Sequence, residues 1–320
     1  MAGGDEAETA LPRIVHLDRM TMGGVEIPRP ALPHEWIEHD FTEPGEVVER
    51  LRGARVAIIN KVKMDAATLA ALPHLRLIAV TATGTDVVDG AAARAHGIEV
   101  RNVVGYAGVS VAEHVVMLMF ALVRGLVPYR EAVIDGRWET GRAFTVFAAP
   151  VRDLSGMRLG LVGSGAIAQA VADRARALGL DVVFAGRRGL APGAGKMAFE
   201  AVLATSDILS LHCPLNDETR HMLNAETLAA MKPGAVVINT ARGALIDLEA
   251  LEAALDAGRI GGAGIDVAPV EPPPPGSPIL RLARRDNVIV TPHSAWLSAQ
   301  AVALLARRTG ENIETFLTGH

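Results

Sequence analysis

The sequence predicts an α/β fold of two doubly wound βαβ domains, and three observations carry that prediction. Short β-rich runs alternate with helical runs along most of the 320 residues, the pattern of parallel sheets covered by helices. The run Leu159-Gly-Leu-Val162 passes into Gly163-Ser-Gly165-Ala-Ile-Ala168, a G-x-G-x-x-A turn between a strand and a helix. Such a turn lets backbone approach a dinucleotide pyrophosphate at a helix N-terminus. Composition agrees: 50% hydrophobic but 4% aromatic, with 32 glycines, favours Ala/Val/Leu/Gly-rich layers over an all-β fold. The length suits two domains of ordinary size.

Taken in order, the first ten or so residues read as disordered, and alternation begins at Arg13. Arg55–Ile59 is a strand, Asp65–Leu72 a helix stopped by Pro73, and Leu75–Val80 a strand. Val87–His96 is helical and ends at Gly97, and Ile98–Asn102 is a short strand. Ser110-Val-Ala-Glu113 reads as a capping box that opens a helix to about Arg124. That helix is apolar nearly all round, so burial on every side is expected, between domains or subunits. Residues 135–150 read as a long loop. A second block follows, with strands at Leu159–Val162, Val182–Ala185, Ile208–His212, Ala235–Asn239, Gly262–Val267 and Val288–Thr291. Six strands make a complete dinucleotide domain. Pro272–Pro275 is a stiff loop, and a last helix spans about Gln300–Phe316.

Charge and cysteine content narrow the function classes. A formal charge of −5 lacks the basic excess of a general nucleic-acid binder. A single cysteine excludes an internal disulfide framework and fits a reducing cytoplasm. Met1-Ala-Gly-Gly-Asp-Glu-Ala-Glu8 has no signal-peptide pattern, and the apolar run Val115–Val123 is too short to cross a bilayer. His212 and His221 lack the further ligands of a metal site, so no metal is expected.

Two regions carry chemistry. After Val182–Ala185, where an NAD enzyme usually places an acid for the ribose 2′-hydroxyl, stand Gly186, Arg187 and Arg188. Two guanidiniums attract a 2′-phosphate, so NADP is expected ahead of NAD; a solvated arginine pair is the competing reading. Arg242, Glu271 and His293 each follow a strand of the second block, where open α/β sheets place ligands. Arginine can clamp a carboxylate and polarise a carbonyl, and histidine can pass a proton near neutral pH. A carboxylate beside the histidine favours its charged form.

Motifs spread over most of the chain carry a resemblance. They are Asn60-Lys-Val, Val80-Thr-Ala-Thr-Gly-Thr-Asp86, Gly105-Tyr-Ala-Gly-Val-Ser-Val-Ala-Glu-His114, Leu211-His-Cys-Pro-Leu215, Met231-Lys-Pro-Gly234, Asn239-Thr-Ala-Arg-Gly243, Gly264-Ile-Asp-Val267, Glu271-Pro272 and Thr291-Pro-His-Ser-Ala-Trp296. With these the sequence resembles the D-isomer-specific 2-hydroxyacid dehydrogenase family, and within it the glycerate dehydrogenase (hydroxypyruvate reductase) group. The resemblance implies a flavodoxin-like substrate domain, residues 1–105 and 296–320, with a Rossmann NAD(P)-binding domain, residues 106–295, inserted into it. It implies a homodimer and an NAD(P)-linked reduction of small 2-keto acids such as hydroxypyruvate and glyoxylate to D-2-hydroxy acids.

By position, the resemblance makes Arg242 the substrate arginine, His293 the acid/base and Glu271 its carboxylate partner. Backbone at Thr83 and Gly84 would hold the substrate carboxylate, and Lys61 and Trp296 would reach the substrate. Cofactor contacts would come from Ser110, Val111, Gly163, Ser164, Gly165, Ala166, Ile167, Arg187, Arg188, His212, Cys213, Pro214, Thr219, Thr240, Ala241, Arg242, Asp266, His293 and Ala295. Ala168 and Gly186-Arg-Arg188 depart from the Gly and Asp of many relatives, which puts the usual NAD preference in question. A 2-ketogluconate or phosphite dehydrogenase would use the same three residues. A corepressor that senses dinucleotide would keep the fold without needing them.

Overall fold

The computed structural model describes residues 11–319, so the expected N-terminal disorder lies outside the described residues. The chain forms two compact units. One comprises the chain up to Tyr106 together with Ser298 onward, and the other is Ala107–Leu297.

The first unit holds a parallel sheet of five strands: β1 (Arg13–His16), β2 (Glu35–Glu38), β3 (Val56–Ile59), β4 (Leu77–Val80) and β5 (Glu99–Arg101). Their order β2-β1-β3-β4-β5 is the flavodoxin-like arrangement. β3 and β4 are buried along their whole length, as central strands covered on both faces must be. Glu35-Trp-Ile-Glu38 forms an edge strand that the sequence reading did not isolate, because two half-buried apolar residues between exposed glutamates make no apolar run. Asp89 accepts from the N–H groups of Ala91 and Ala92, which starts the next helix at Gly90 rather than Val87.

The second unit holds six parallel strands: β6 (Arg158–Val162), β7 (Asp181–Ala185), β8 (Ile208–Leu211), β9 (Ala235–Asn239), β10 (Ile260–Ile265) and β11 (Val288–Val290). The order is β11-β10-β9-β8-β6-β7, so the sheet reverses direction at β6. Beyond β7 a single parallel bridge, Ala185 to Met197, stands where a dinucleotide fold has its third strand. This edge is reduced to one residue because the chain from Gly186 to Gly195 carries four glycines and a proline. The sheet's two faces carry separate apolar clusters, one around Phe199, Val237 and Leu251, the other around Leu159, Val171 and Leu118.

The helix Gly108–Val123 differs from expectation at its start. It begins two residues before Ser110, with Ala107 as N-cap, and Ser110 does not cap it. The Ser110 hydroxyl instead donates to the Ala295 carbonyl at 2.7 Å, while Glu113 lies 3.6 Å from Arg174. Within this single chain Val111, Ala112, Val115, Leu118 and Met119 pack into the unit, and Val109, Met117 and Phe120 are exposed on the other side. Left-handed Gly125 then breaks the chain into a further helix, Leu126–Ile134, absent from the sequence reading. Among the described residues no single helix is long and apolar enough to cross a membrane.

Candidate active site

β9, β10 and β11 are adjacent in the sheet, and the chain leaving each carries Arg242, Glu271 and His293 in turn. The His293 Nδ1–H donates to Glu271 Oε2 at 2.6 Å, and the other Glu271 oxygen accepts from the Ala268 N–H at 2.9 Å. The carboxylate is thereby fixed at both ends, and the imidazole keeps Nε2 for proton transfer. Both side chains are a little over a quarter exposed, open enough to meet a ligand.

The backbone at His293 has φ +54°, rare for a residue with a side chain and costing on the order of 1–3 kcal/mol. Its N–H donates to Asp266 O at 2.7 Å and to Thr291 O at 3.0 Å, which holds it there. The Asp266 carboxylate, 1% exposed, accepts from Thr291 Oγ1 (2.5 Å), Ser294 N (2.8 Å) and Ala295 N (3.0 Å). Asp266 was expected to line the cofactor; its side chain is spent on this loop. His114 joins the same cluster through Thr291 Oγ1 at 3.0 Å, and burial lowers its pKa.

Arg242 is placed by the end of β9. The buried Asn239 donates from Nδ2 to the Arg242 carbonyl at 2.8 Å and accepts from the Ala241 N–H at 3.0 Å. Arg242 Nη1 donates to Ala241 O at 2.8 Å. Gly243 follows because a Cβ there would run into the Ala268–Pro269 backbone, and this close approach draws the Arg242 turn toward the Glu271 loop. Asn239 was not among the candidate residues, although it opens the Asn239-Thr-Ala-Arg-Gly243 motif.

The glycine turn is built as a cradle. Gly163 has φ +109°, and a Cβ on it would strike the His212 carbonyl. Gly165 meets nothing within 4 Å, and it N-caps the helix Ala166–Ala177 without a side-chain acceptor. Exposed Gly165, Ala166 and Ile167 therefore present helix N-terminal N–H groups, while Ala168 is fully buried. The Thr240 hydroxyl is buried and has no hydrogen-bond partner among the described residues, an unmet polar demand at the end of β9. An open N-terminus and an orphaned hydroxyl suit a dinucleotide cofactor, so the residues fit the group.

The remaining cofactor candidates divide. Arg187 and Arg188 are exposed, and Arg188 pairs with Glu226 at 3.2 Å. Lys196, not singled out from the sequence, donates to Ser164 Oγ at 3.0 Å. Thr219 Oγ1 donates to Pro214 O at 2.8 Å and accepts from the Asn216 N–H, so it shapes its own loop. His212 contacts Ser210 Oγ at 2.9 Å, and burial pushes it down to about 4. Burial pushes the Cys213 thiol up to about 11, and its Sγ contacts Met222 Sδ, so it packs rather than reacts. Trp296 is half-buried and Val111 buried. Among the described residues no group of three or more His, Cys, Asp or Glu is placed to hold a metal.

In the first unit, the Thr83 hydroxyl donates to Val103 O at 3.0 Å and Asn102 Nδ2 to Thr83 O at 2.6 Å. Among the described residues the N–H groups of Thr83 and Gly84 donate to no acceptor. Exposed Lys61 follows Asn60 in a loop held by buried Asp18, whose carboxylate accepts from the Asn60 and Lys61 N–H groups at 2.7–3.0 Å.

The sequence profile of the family described as "D-isomer specific 2-hydroxyacid dehydrogenase, NAD binding domain" matches residues 116–295. The chain is 47% identical over 308 residues to a glycerate dehydrogenase of Methylorubrum extorquens, covering 96% of each protein. It is 35% identical to a glyoxylate reductase of Korarchaeum cryptofilum, covering 85% of this chain and 82% of that one. A solved structure of an acyclic imino acid reductase (Bsp5) in complex with NADPH and D-Arg superposes with a TM-score of 0.80 at 29% identity, covering 96% of this chain and 97% of that one.

Proposed function

We propose a specific reaction from this premise: the chain belongs to the D-isomer specific 2-hydroxyacid dehydrogenase family. It is an NAD(P)-dependent oxidoreductase that interconverts 2-keto acids and D-2-hydroxy acids. The proposal is that it works as a reductase of small 2-keto acids, hydroxypyruvate and glyoxylate first, and prefers NADPH. The observation that supports it most is the 2.6 Å His293–Glu271 pair on the loop next to the Arg242 loop.

In this reading the Arg242 guanidinium binds the substrate carboxylate and polarises the 2-keto oxygen with paired N–H donors. In the first unit, the N–H groups of Thr83 and Gly84 donate to no acceptor among the described residues and are of the kind that would hold a carboxylate. The keto carbon would receive a hydride from NAD(P)H when that cofactor is bound. His293, charged and held through Nδ1 by Glu271, gives its Nε2 proton to the developing alkoxide. Oxidation runs the same steps backward and needs the neutral imidazole. The open helix N-terminus after Gly165 would hold the pyrophosphate, and Arg187 and Arg188 the ribose 2′-phosphate.

The test is a panel of glyoxylate, hydroxypyruvate, pyruvate and 2-ketogluconate, each assayed with NADPH and with NADH. We expect the highest kcat/KM for the two small acids with NADPH. A tenfold or greater advantage for 2-ketogluconate, or equal efficiency with the two cofactors, would each overturn the corresponding half of the reading.

The reading also includes a cytoplasmic homodimer. Phe144 and Phe147 are 93% and 92% exposed, and Trp138 and Val133, which line one hollow with Phe144, are also open. Apolar side chains this bare are commonly covered by a partner surface. Sedimentation should give twice the 33.6 kDa chain mass, and Phe144→Ser with Phe147→Ser should shift the protein toward monomer.

A further inference from the structure

We infer that Lys196 is a third cation of the cofactor-phosphate subsite and that it reads the ribose 2′-phosphate. The inference rests on the NADPH reading above and names a residue that neither the glycine motif nor the arginine pair contains.

The geometry begins with Met197. Its N–H donates to Phe184 O at 2.9 Å, and its carbonyl accepts from the Gly186 N–H at 2.8 Å. These bonds pin the chain against the end of β7 and fix Lys196 at the outlet of the sheet. From there the side chain crosses toward the turn that leaves β6, where Nζ donates to Ser164 Oγ at 3.0 Å. β6 and β7 are neighbouring parallel strands, so the ammonium spans the gap between their outlets. In a doubly wound dinucleotide site the pyrophosphate sits on the glycine turn and the adenosine ribose toward the end of the second strand. Lys196 therefore stands on the ribose side of the pyrophosphate cradle.

Charge points the same way. An ammonium has three donors, and Ser164 takes one of them. Among the described residues no carboxylate pairs with Lys196, whereas Arg188 is engaged by Glu226. Gly186 occupies the position where an acid would hold a 2′-hydroxyl. A Cβ at Gly186 would lie 3.1 Å from Pro192 Cα and 3.3 Å from Met197 O. The same fold of the loop that delivers Lys196 thus crowds out a side chain at the ribose-reading position. The pyrophosphate has its own donors in the open helix N-terminus after Gly165. That leaves the cation for the extra phosphate that distinguishes NADP from NAD.

The test measures binding without substrate, by titration calorimetry, for NADPH, NADH, 2′,5′-ADP and 5′-AMP with wild type, Lys196→Met and Lys196→Arg. Lys196→Met should weaken NADPH and 2′,5′-ADP by roughly three- to tenfold, in the range of one charge-assisted contact at a solvated site. NADH and 5′-AMP should be unchanged, and Lys196→Arg should retain most of the NADPH affinity. Equal weakening of NADPH and NADH would move Lys196 to the pyrophosphate and overturn the assignment. Unchanged 2′,5′-ADP affinity in Lys196→Met would overturn it whichever cofactor the wild type prefers. Equal wild-type affinity for NADPH and NADH would sink the preference reading itself, a separate result from the same data.

Discussion

In the loops that leave β9, β10 and β11 the polar side chains other than Thr240 are largely held by bonds inside the protein. Asp266 accepts four hydrogen bonds, Asn239 holds both sides of the Arg242 turn, and Glu271 is anchored at each oxygen. In the stretch that leaves β7 the opposite holds: Arg187, Arg188 and Lys196 are exposed, Arg188 meeting Glu226 and Lys196 meeting Ser164 through one exposed contact each. On the proposed function the difference has a reason: chemistry needs atoms placed to a few tenths of an ångström, which over-determined loops and one strained φ would supply. Choosing between two cofactors would need only a difference in charge, which survives on exposed side chains in high dielectric. Substitutions in the first region should therefore cost far more than substitutions in the second.

The largest expected effect is at His293. His293→Ala should lower kcat on the order of 10²–10⁴-fold, the range for a positioned acid/base, with cofactor affinity nearly intact. Arg242→Lys comes next. A point charge cannot reproduce the planar fork, so KM should rise and kcat fall together, with kcat/KM down about 10²-fold. Unchanged steady-state constants for either variant would place the chemistry elsewhere and dissolve the contrast.

His212 tests whether the buried side of the cofactor region behaves like the catalytic loops. Its pKa drops from 6.5 to about 4 on folding, because burial disfavours the charged ring. The unfolded chain takes up a proton below about 6.5, while the folded chain does not until about 4. The contribution is therefore complete above about pH 6.5 and is lost as pH falls toward 4. At pH 5 the loss relative to pH 7.5 should be about 2 kcal/mol. His212→Gln keeps a polar group near Ser210 without titrating. Urea midpoints at the two pH values should differ less in this variant than in wild type; an identical difference would show that His212 is solvated.

A smaller effect is expected from Glu271→Gln, which preserves an acceptor for His293 Nδ1 but gives up the charge-assisted bond that holds the ring. The loss in kcat should be roughly tenfold, well short of that for His293→Ala. An undiminished kcat would mean that Glu271 does not position the histidine.

The two regions also differ in how much of them the sequence revealed. Arg242, Glu271 and His293 could be named as candidates because each follows a buried apolar strand, and strand ends in open α/β sheets are where ligands gather. What held them was less legible. Asn239 and Asp266 look like ordinary strand-end polar residues until the sheet brings their hydrogen-bond partners, up to 29 residues away in sequence, into reach. The capping box at Ser110 failed because Ala295 supplies a competing tertiary acceptor for its hydroxyl, a contact no local pattern encodes. Lys196 was missed for a related reason: a glycine-rich loop has no periodicity, and only the bridge at Met197 reveals where it ends. The edge strand β2 and the helix Leu126–Ile134 escaped notice because both are short and half-exposed.

The smallest effect is the sharpest test of the exposed region. Arg187→Ala with Arg188→Ala should remove most of an NADPH preference of about tenfold or more. Within that pair, Arg188 is held by Glu226 at 3.2 Å, and Glu226 is 81% exposed. Such surface pairs are weak and screened. If Arg188 divides its time between Glu226 and a 2′-phosphate, then Glu226→Gln should release it. NADPH KM should fall by roughly twofold at low ionic strength, NADH KM should stay constant, and the gain should vanish near 0.5 M salt, where the screening length is only a few ångströms. A salt-independent change would point to a shift in loop structure instead of a freed charge. A rise in NADPH KM would mean that Glu226 positions Arg188 for the phosphate, as Glu271 positions His293. The cofactor loop would then share the design of the catalytic loops, and the contrast between the two regions would fall.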